Sequence, residues 1–437
     1  MKKIVFLSTI ISVMIAVNSC QKFDFWDHHH NPNEKIPDAS VATDWYKLQL
    51  RFLLERNSTL NGAYFGYLGI GLYESVQPGI KNAISLSKKL YQMPEMPAIE
   101  NHRNYNWVES ANAAMASLLR YYNTGLTPAN LASIDSLENI YNQKLNQGPG
   151  TESFSRSQAF GRSIATAVYN WSLTDNFNPS NAGYTPPAFF GAWVPTPPAL
   201  ANGVNPYVKN ARPFLSENKT SIAPPPPFPY SEDAASDFYK MVKQVYDVNK
   251  ALTQEQKDIA LFWVDQGNGV GYTPPGHDFS IITQAIEQAH VNLAFAAETY
   301  AKAGITERDG TIVCFRSKYE YNVMRPVTYI QKLIEPNWLP FIVTPPHPEY
   351  PAAHALITGA VMEAASEVLG HNIKVTDHTY DFRGWAPRTF NGLFKAGEEA
   401  GISRLYGGIH YLPSINAGLK LGHELGEKIG NIKLIGW

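Results

Sequence analysis

Apolar residues recur at steps of three and four along much of this 437-residue chain, which is the spacing that an amphipathic α-helix needs. The pattern begins near Val41, with Trp45, Leu48 and Phe52, and it returns in "YNWVESANAAMASLLRYY", "SFSRSQAFGRSIATAVYNW" and "DFYKMVKQVYDV". Strict alternation of apolar and polar residues, which would predict strands, is scarce throughout. The sequence therefore predicts an all-α fold.

A proline-rich segment interrupts the helical pattern between about residues 176 and 230. Proline is excluded from helix interiors and favours extended or turn backbone. The aromatic residues Phe189, Phe190 and Trp193 predict that this segment packs against the body of the protein. We therefore expect two helical halves, residues 41–230, which include the segment, and residues 231–437.

The C-terminal half carries three further helical patterns. Two are apolar stripes, one at Ile282, Ile286, Ala289, Leu293, Ala296 and Tyr300 and the other at Leu356, Ile357, Ala360, Val361, Ala364 and Val368. The third is Gly418, Gly422 and Gly426, which recur every fourth residue and would leave a smooth helix face. Because each glycine lowers helix stability by about 1 kcal/mol relative to alanine, we expect close helix packing to compensate.

The N-terminal sequence "MKKIVFLSTIISVMIAVNSC" has the layout of a secretory signal. Two lysines precede an apolar run that is too short and wrongly flanked for a transmembrane span. Since "VNSC" resembles a bacterial lipoprotein signal, we expect residues 1–19 to be removed and Cys20 to be lipidated. The protein would then be exported and anchored to a bacterial membrane, on its periplasmic or cell-surface side. An ordinary cleaved signal peptide is the alternative.

Residues 20–40 read as a polar tether between the membrane and the folded domain. Its histidines, His28, His29 and His30, could bind metal, although a solvated tether also accounts for them. If Cys20 carries lipid, Cys314 has no cysteine left for an intrachain disulfide.

The charge balance excludes one class of partner. The chain has 36 Lys and Arg residues against 38 Asp and Glu residues, a formal net charge of −2. No overall positive field would therefore draw the molecule to nucleic acid.

Five basic residues of the C-terminal half could form one anion site. Lys318 and Arg325 in "KYEYNVMRP" are seven residues apart, so on one helix they would point along the same face. Pro326 would end that helix. Two cations at a helix end could also form only a solvated surface.

His354 follows the proline-containing stretch "TPPHPEYP", and we expect a helix to begin at Ala352 or Ala353. In the first turn of a helix, unpaired N–H groups form a binding position for an anion. The positive helix end disfavours the cationic form of His354, which suits acid–base chemistry near neutral pH. A purely structural histidine is the alternative.

Arg404 and His410 lie in "EEAGISRLYGGIHYLP", which predicts a helix holding Ser403 and Arg404 and then a glycine-containing approach to His410. Three permanent cations, a helix start and two histidines suit a tetrahedral oxyanion, because arginine binds two oxygens at once and lysine adds a point charge. One histidine could bond the central atom while the other transfers a proton.

These three segments, in this order, resemble the signature of the type 2 phosphatidic acid phosphatase and vanadium haloperoxidase superfamily. That signature is Lys, six residues and Arg-Pro; then Pro-Ser-Gly-His; then Ser-Arg, five residues, His, three residues and Asp. The matching residues here are Lys318, Arg325, Pro326, Pro351, His354, Ser403, Arg404 and His410. "GAWVPTPP", "ARPF" and "TPPGH" are also similar to the soluble bacterial haloperoxidase-like branch.

Three positions depart from the signature. Ala352 and Ala353 replace its serine and glycine, and Ser414 replaces its closing aspartate. Ala352 removes a hydroxyl donor, worth roughly 1.5–3 kcal/mol when it bonds a charged group. Ser414 cannot supply the negative charge that would orient His410 through its second nitrogen. "PPGH" at 274–277 precedes Lys318, so its order is wrong for the site, and we interpret His277 as structural or as a neighbour of the site residues.

The resemblance implies a helical bundle of the haloperoxidase and acid phosphatase type, with its site in the C-terminal half. It implies a vanadate-dependent haloperoxidase-like enzyme that acts on halide and peroxide, with His410 coordinating vanadium. Lys318, Arg325, Arg404 and the Ala353 backbone would hold the vanadate oxygens, and His354 would handle a proton. The alternative is a phosphate-ester hydrolase without a cofactor, in which His410 forms a phosphohistidine. A surface lipoprotein that binds a phosphorylated ligand or glycan without turnover is the non-enzyme alternative.

Overall fold

The computed structural model describes residues 37–56, 63–146, 151–265 and 271–436. Within these ranges the chain forms thirteen α-helices and one two-stranded antiparallel sheet. The helices are α1 (Ser40–Arg56), α2 (Ala63–Val76), α3 (Trp107–Tyr122), α4 (Pro128–Leu145), α5 (Thr151–Ser172), α6 (Asp237–Lys250), α7 (Gln254–Phe262), α8 (Pro274–Gln288), α9 (Leu293–Tyr321), α10 (Pro326–Leu333), α11 (Gly359–Leu369), α12 (Leu393–Tyr406) and α13 (Leu412–Gly430). The all-α prediction is confirmed.

Two short elements lie beside α11. A π-helical turn, His354–Thr358, runs directly into its first residue. The antiparallel strands β1 (Lys374–Asp377) and β2 (Arg388–Asn391) form a small hairpin between α11 and α12. The sequence did not predict this hairpin, because four-residue strands are too short for alternation to stand out.

Several helices begin where a polar side chain satisfies a free backbone N–H group. The side chain of the residue before the helix accepts that hydrogen bond at Asn106, Thr127, Ser236, Thr253, Thr273 and Asn292. The cap at Asn292 corrects the expectation of one continuous helix from Ile282 to Tyr300. The stripe from Ile282 to Tyr300 is not one helix, because His290 adopts φ 50° and Asn292 starts α9 anew.

Helices from both halves pack on a common core, with α9 near its centre. A Cβ atom on Gly304 of α9 would lie 2.6 Å from Gly66 Cα of α2, so these two helices can cross this closely only at glycine. The Tyr46 and Tyr300 rings stack with centroids 3.6 Å apart and join the first and ninth helices. The division into residues 41–230 and 231–437 stays a prediction.

The glycine face of α13 packs against the π-turn and α11, as its sequence predicts. A Cβ atom on Gly418 would lie 2.9 Å from the Ala352 carbonyl oxygen, and one on Gly422 would lie 2.7 Å from the Leu356 carbonyl oxygen. Any side chain there would force α13 away from the segment that carries His354.

The proline-rich segment lies against the end of α9. The Trp193 backbone N–H donates to the Asn322 carbonyl at 2.6 Å, and the Trp193 side chain is fully buried. The packing prediction therefore holds for Trp193. It is wrong for Phe189 and Phe190, which are 54% and 86% exposed.

The predicted signal sequence, Cys20 and the histidines His28, His29 and His30 lie outside the described residues. Among the described helices, none is long and apolar enough to cross a membrane. Cys314 lies in α9, where burial raises the pKa of its thiol to about 11.

Candidate active site

Lys318 and Arg325 are both fully buried, but they do not share one helix. Helix α9 ends at Tyr321, because Asn322 adopts the left-handed conformation with φ 48°. Arg325 is extended, as a residue before proline usually is, and it directly precedes α10. The expected alignment over two turns of a single helix is therefore wrong.

Backbone carbonyls hold both cations in place. Lys318 Nζ donates to the carbonyl oxygens of Pro348 and Glu349, each at 2.9 Å. Arg325 donates from Nε to the His347 carbonyl at 2.9 Å and from Nη1 to the Ile409 carbonyl at 2.8 Å. These bonds fix the two positive charges beside the loop that precedes His354.

His410 lies between a cation and a carboxylate. Its Nε2 is 3.0 Å from Arg325 Nη1, and its Nδ1 is 2.7 Å from Glu349 Oε1. The same Glu349 oxygen accepts the Tyr411 backbone N–H at 3.0 Å. Because Nδ1 faces an acceptor and Nε2 faces a donor, we infer a neutral ring with its proton on Nδ1 and its lone pair on Nε2.

Glu349 corrects the expectation that His410 has no carboxylate partner. The superfamily signature has that partner at position 414, where this chain has serine, whereas the structure provides it from position 349. Glu349 stands in the stretch "TPPHPEYP", but no spacing rule connects it with His410, which lies 61 residues further on.

Burial controls the protonation of this group. It lowers the pKa of His410 well below its usual value, and the charges of Arg325 and Lys318 act in the same direction. It raises the pKa of Glu349 to about 7, although Lys318 and Arg325 oppose this. It also lowers the pKa of Lys318 to about 7. Burial thus shifts both Lys318 and Glu349 toward their neutral forms.

His354 lies in the first turn of its helix, as predicted, and it contacts a different carboxylate. Its Nε2 is 3.2 Å from Asp265 Oδ2 and 3.4 Å from Arg404 Nη1. Burial, followed by the charge of Arg404, lowers the pKa of His354 to about 4. The imidazole is therefore neutral over the physiological pH range.

Asp265 connects His354 with a second buried histidine. Its Oδ1 lies 2.8 Å from His277 Nδ1 and accepts the Tyr380 hydroxyl at 2.7 Å, while His277 Nε2 lies 2.9 Å from Asp377 Oδ2. Burial alone would lower the pKa of His277, but the charges of Asp265 and Asp377 outweigh it and raise this pKa to about 10. His277 is thus a buried cation, and Asp265 lies between it and His354. Asp265 and Asp377 were not predicted from the sequence.

Arg404 lies near the end of α12, as predicted, and is buried. Its Nη2 donates to the Trp263 carbonyl, and its Nε lies 3.1 Å from Ser403 Oγ. Gly408, with φ 76°, then turns the chain toward His410. Arg404 therefore reaches the His354 side of the site, whereas Arg325 reaches the His410 side.

The three altered positions lie beside these groups. The Ala352 backbone N–H donates to the Ser414 carbonyl at 3.3 Å, so this N–H is engaged within the protein. Ala353 is half-buried, with helical φ −67°, directly before the π-turn. The Ser414 hydroxyl is near enough to Glu349 to lower its pKa, but it has no hydrogen-bond partner among the described residues.

Comparison with known proteins supplies the evolutionary context. Residues 298–432 match the family model for the VCPO second helical-bundle domain. This range contains all five predicted site residues. The structure resembles that of a bacterial vanadium-dependent iodoperoxidase with a TM-score of 0.80 and 28% identity, over 93% of this chain and 100% of that one.

The chain is similar to known vanadium haloperoxidases. Vanadium chloroperoxidase from Curvularia inaequalis is 23% identical over 266 residues, which cover 49% of this chain and 43% of that protein. This chain thus matches less than half the length of that curated relative. The apo and holo structures of a bacterial vanadium-dependent chloroperoxidase share the fold, each with a TM-score of 0.60. The apo structure is 15% identical and covers 85% of this chain and 93% of its own. The holo structure is 14% identical and covers 93% of this chain and 96% of its own.

The donor set fits a tetrahedral oxyanion such as vanadate. Burial lowers the pKa of Arg325 and of Arg404 to about 10, which leaves both guanidinium groups charged at neutral pH. Buried cations need anionic partners, and the His410 lone pair faces the same region. Ala352 weakens the fit, since it offers no hydroxyl.

Proposed function

We propose that this chain is a vanadate-dependent haloperoxidase-like enzyme, which oxidises halide with peroxide at an anion site built on His410. The arrangement of His410 carries the proposal, because Glu349 fixes Nδ1 at 2.7 Å and leaves Nε2 beside the Arg325 guanidinium. The 28% identity to a vanadium-dependent iodoperoxidase over nearly the whole chain supports it.

In this proposal the His410 Nε2 lone pair would hold vanadate, which when bound supplies the Lewis acid that activates peroxide. Lys318, Arg325 and Arg404 would neutralise the oxygens, together with the Ala353 backbone N–H. His354 would handle the peroxide proton, with its Nε2 held between Asp265 Oδ2 and the Arg404 guanidinium. Its low pKa keeps it in the neutral form that such a step requires.

The Glu349–His410 pair also favours a second function, the hydrolysis of phosphate esters. A histidine that attacks phosphorus through Nε2 becomes cationic, and a carboxylate on Nδ1 stabilises that charge. In this reaction the imidazolium form of His354 would protonate the leaving oxygen, which favours acidic pH, and the three cations would stabilise the equatorial oxygens.

The experiment compares both activities on the full-length chain. Vanadate binding is measured by calorimetry, and the oxidation of iodide and bromide by peroxide is followed with and without vanadate. Hydrolysis of p-nitrophenyl phosphate is assayed without vanadate. We expect vanadate-dependent halide oxidation, and His410→Ala should lower it at least about 10²-fold.

The control variant is His102→Asn, an exposed position with φ 60° that asparagine tolerates. It should retain full activity. Hydrolysis without halide oxidation would select the second function, and vanadate binding without either activity would indicate a binding protein. The absence of both binding and activity would refute the anion site.

A further inference from the structure

A second group of metal-ligating side chains lies at the far end of α11, away from the site described above. Glu363 and Glu367 are four residues apart on α11 and therefore share one helix face. His371 follows the end of that helix, and His423 faces it from α13. Two carboxylates and two imidazoles thus meet between the two helices.

The distances among their ligand atoms suit a small cation. Glu363 Oε1 lies 3.2 Å from His423 Nδ1, and Glu367 Oε1 lies 3.5 Å from His371 Nε2. The other His371 nitrogen, Nδ1, lies 3.9 Å from Glu363 Oε1, and only one of the two nitrogens can bind a given ion. One atom each from Glu363, Glu367 and His371 can be chosen so that all lie within 4.8 Å of one another. In a tetrahedral zinc site with bonds of 2.0–2.2 Å, neighbouring ligand atoms are about 3.3–3.6 Å apart.

The cluster is open on one side and buried on the other. The Glu363 side chain is only 3% exposed, whereas those of His371 and His423 are 55% and 52% exposed. Burial raises the pKa of Glu363, and the two histidines oppose that rise. In the described part of the chain, the ion pairs of Glu363 and Glu367 are with histidines, and none is with lysine or arginine.

The backbone around the cluster brings α13 close to α11. A Cβ atom on Gly426 would lie 2.5 Å from Glu363 Cβ, and one on Gly430 would lie 2.5 Å from Glu367 Cγ. Glycine at both positions thus lets α13 approach the two carboxylates. Gly370, with φ 101°, turns the chain so that His371 returns to the face that they share.

We propose that Glu363, Glu367, His371 and His423 bind one divalent transition-metal ion of the zinc class. Two imidazoles and two carboxylates are ligands that zinc accepts in four-coordinate sites. The ion would tie α11 to α13. These helices begin beside His354 and His410 respectively, so the site would stabilise the packing of the two segments that carry the histidines.

The test uses the full-length chain with His28→Ala, His29→Ala and His30→Ala, which removes the other histidine cluster that could bind metal. Zn²⁺ binding is titrated by calorimetry, Co²⁺ binding is followed by visible absorption, and the thermal unfolding temperature is measured with and without Zn²⁺. We expect one Zn²⁺ per chain, a tetrahedral Co²⁺ spectrum, and a higher unfolding temperature with Zn²⁺.

Adding His371→Ala and His423→Ala to this background should weaken Zn²⁺ binding at least tenfold and abolish the rise in unfolding temperature. Both side chains are half-exposed, so the variant should fold, and Glu367→Gln provides a milder second variant. His410→Ala and His102→Asn in the same background should leave Zn²⁺ binding unchanged. Absence of Zn²⁺ binding in the background, or equal affinity after loss of both histidines, would overturn the proposal.

Discussion

His410 and His354 are both buried, neutral and in contact with one carboxylate, yet the two carboxylates differ in charge. Glu349, the partner of His410, has a pKa raised to about 7 by burial. Asp265, the partner of His354, is also buried, but the cationic His277 holds its pKa below the usual range. At Glu349 burial outweighs the charges of Lys318 and Arg325, whereas at Asp265 the charge of His277 outweighs burial.

This difference assigns separate tasks to the two histidines. Around His410 burial shifts both Glu349 and Lys318 toward their neutral forms, so the charge of an arriving anion can favour the protonated form of each. Around His354 the Asp265–His277–Asp377 chain keeps its charges over a wide pH range. The first arrangement suits anion binding, and the second gives a proton-transferring histidine a constant electrostatic environment.

The largest expected effect is on the free energy of unfolding, which tests whether Asp265 and Glu349 differ in charge. Asp265→Asn removes the charge that faces buried His277, and the loss of one partner of a buried ion pair costs about 3–5 kcal/mol. Glu349→Gln replaces a carboxyl group that is close to half-protonated at pH 7, so it should cost clearly less. Urea denaturation at pH 7 measures both unfolding free energies. Equal losses would mean that the two carboxylates carry the same charge.

Moving the carboxylate tests how His410 is supported. Glu349→Gln should weaken vanadate binding by about 10–100-fold, as loss of a group that orients a ligand usually does. Because the Ser414 hydroxyl lies near Glu349, adding Ser414→Asp to this variant should recover part of the affinity. Ser414→Asn in the same variant is the uncharged control. Calorimetric titration measures each affinity, and an unchanged affinity in Glu349→Gln would show that Nδ1 needs no carboxylate.

The helices were predictable from the sequence because their signals are local. Glycine at every fourth position, Gly418, Gly422 and Gly426, located α13, and "ISRLYGGIH" placed Arg404 on a helix and His410 after a turn. The carboxylate partners were not predictable. Asp265 and His354 are 89 residues apart, and both Asp265 and Glu349 lie in loops, where no periodicity indicates which way a side chain points. The break between Lys318 and Arg325 was missed because it depends on Asn322 adopting a positive φ, which asparagine does only in some contexts.

The most specific effect is the pH dependence of these stability differences. The pKa of His277 is raised to about 10 in the folded protein, against about 6.5 in an unfolded chain. The stability that charged His277 contributes is therefore complete below about pH 6.5 and is lost as the pH rises toward 10. The difference in unfolding free energy between wild type and Asp265→Asn should narrow over that window.

The pKa of Glu349 is also raised, to about 7 from about 4.3, so its protonated form favours the folded state. The unfolding free energy of wild type relative to Glu349→Gln should therefore fall between about pH 4.3 and 7. Each slope should be at most about 1.4 kcal/mol per pH unit. Urea denaturation of the three proteins from pH 4 to pH 10 measures both windows. Two difference curves that change over the same pH range would show that the carboxylates of His410 and His354 are not electrostatically distinct.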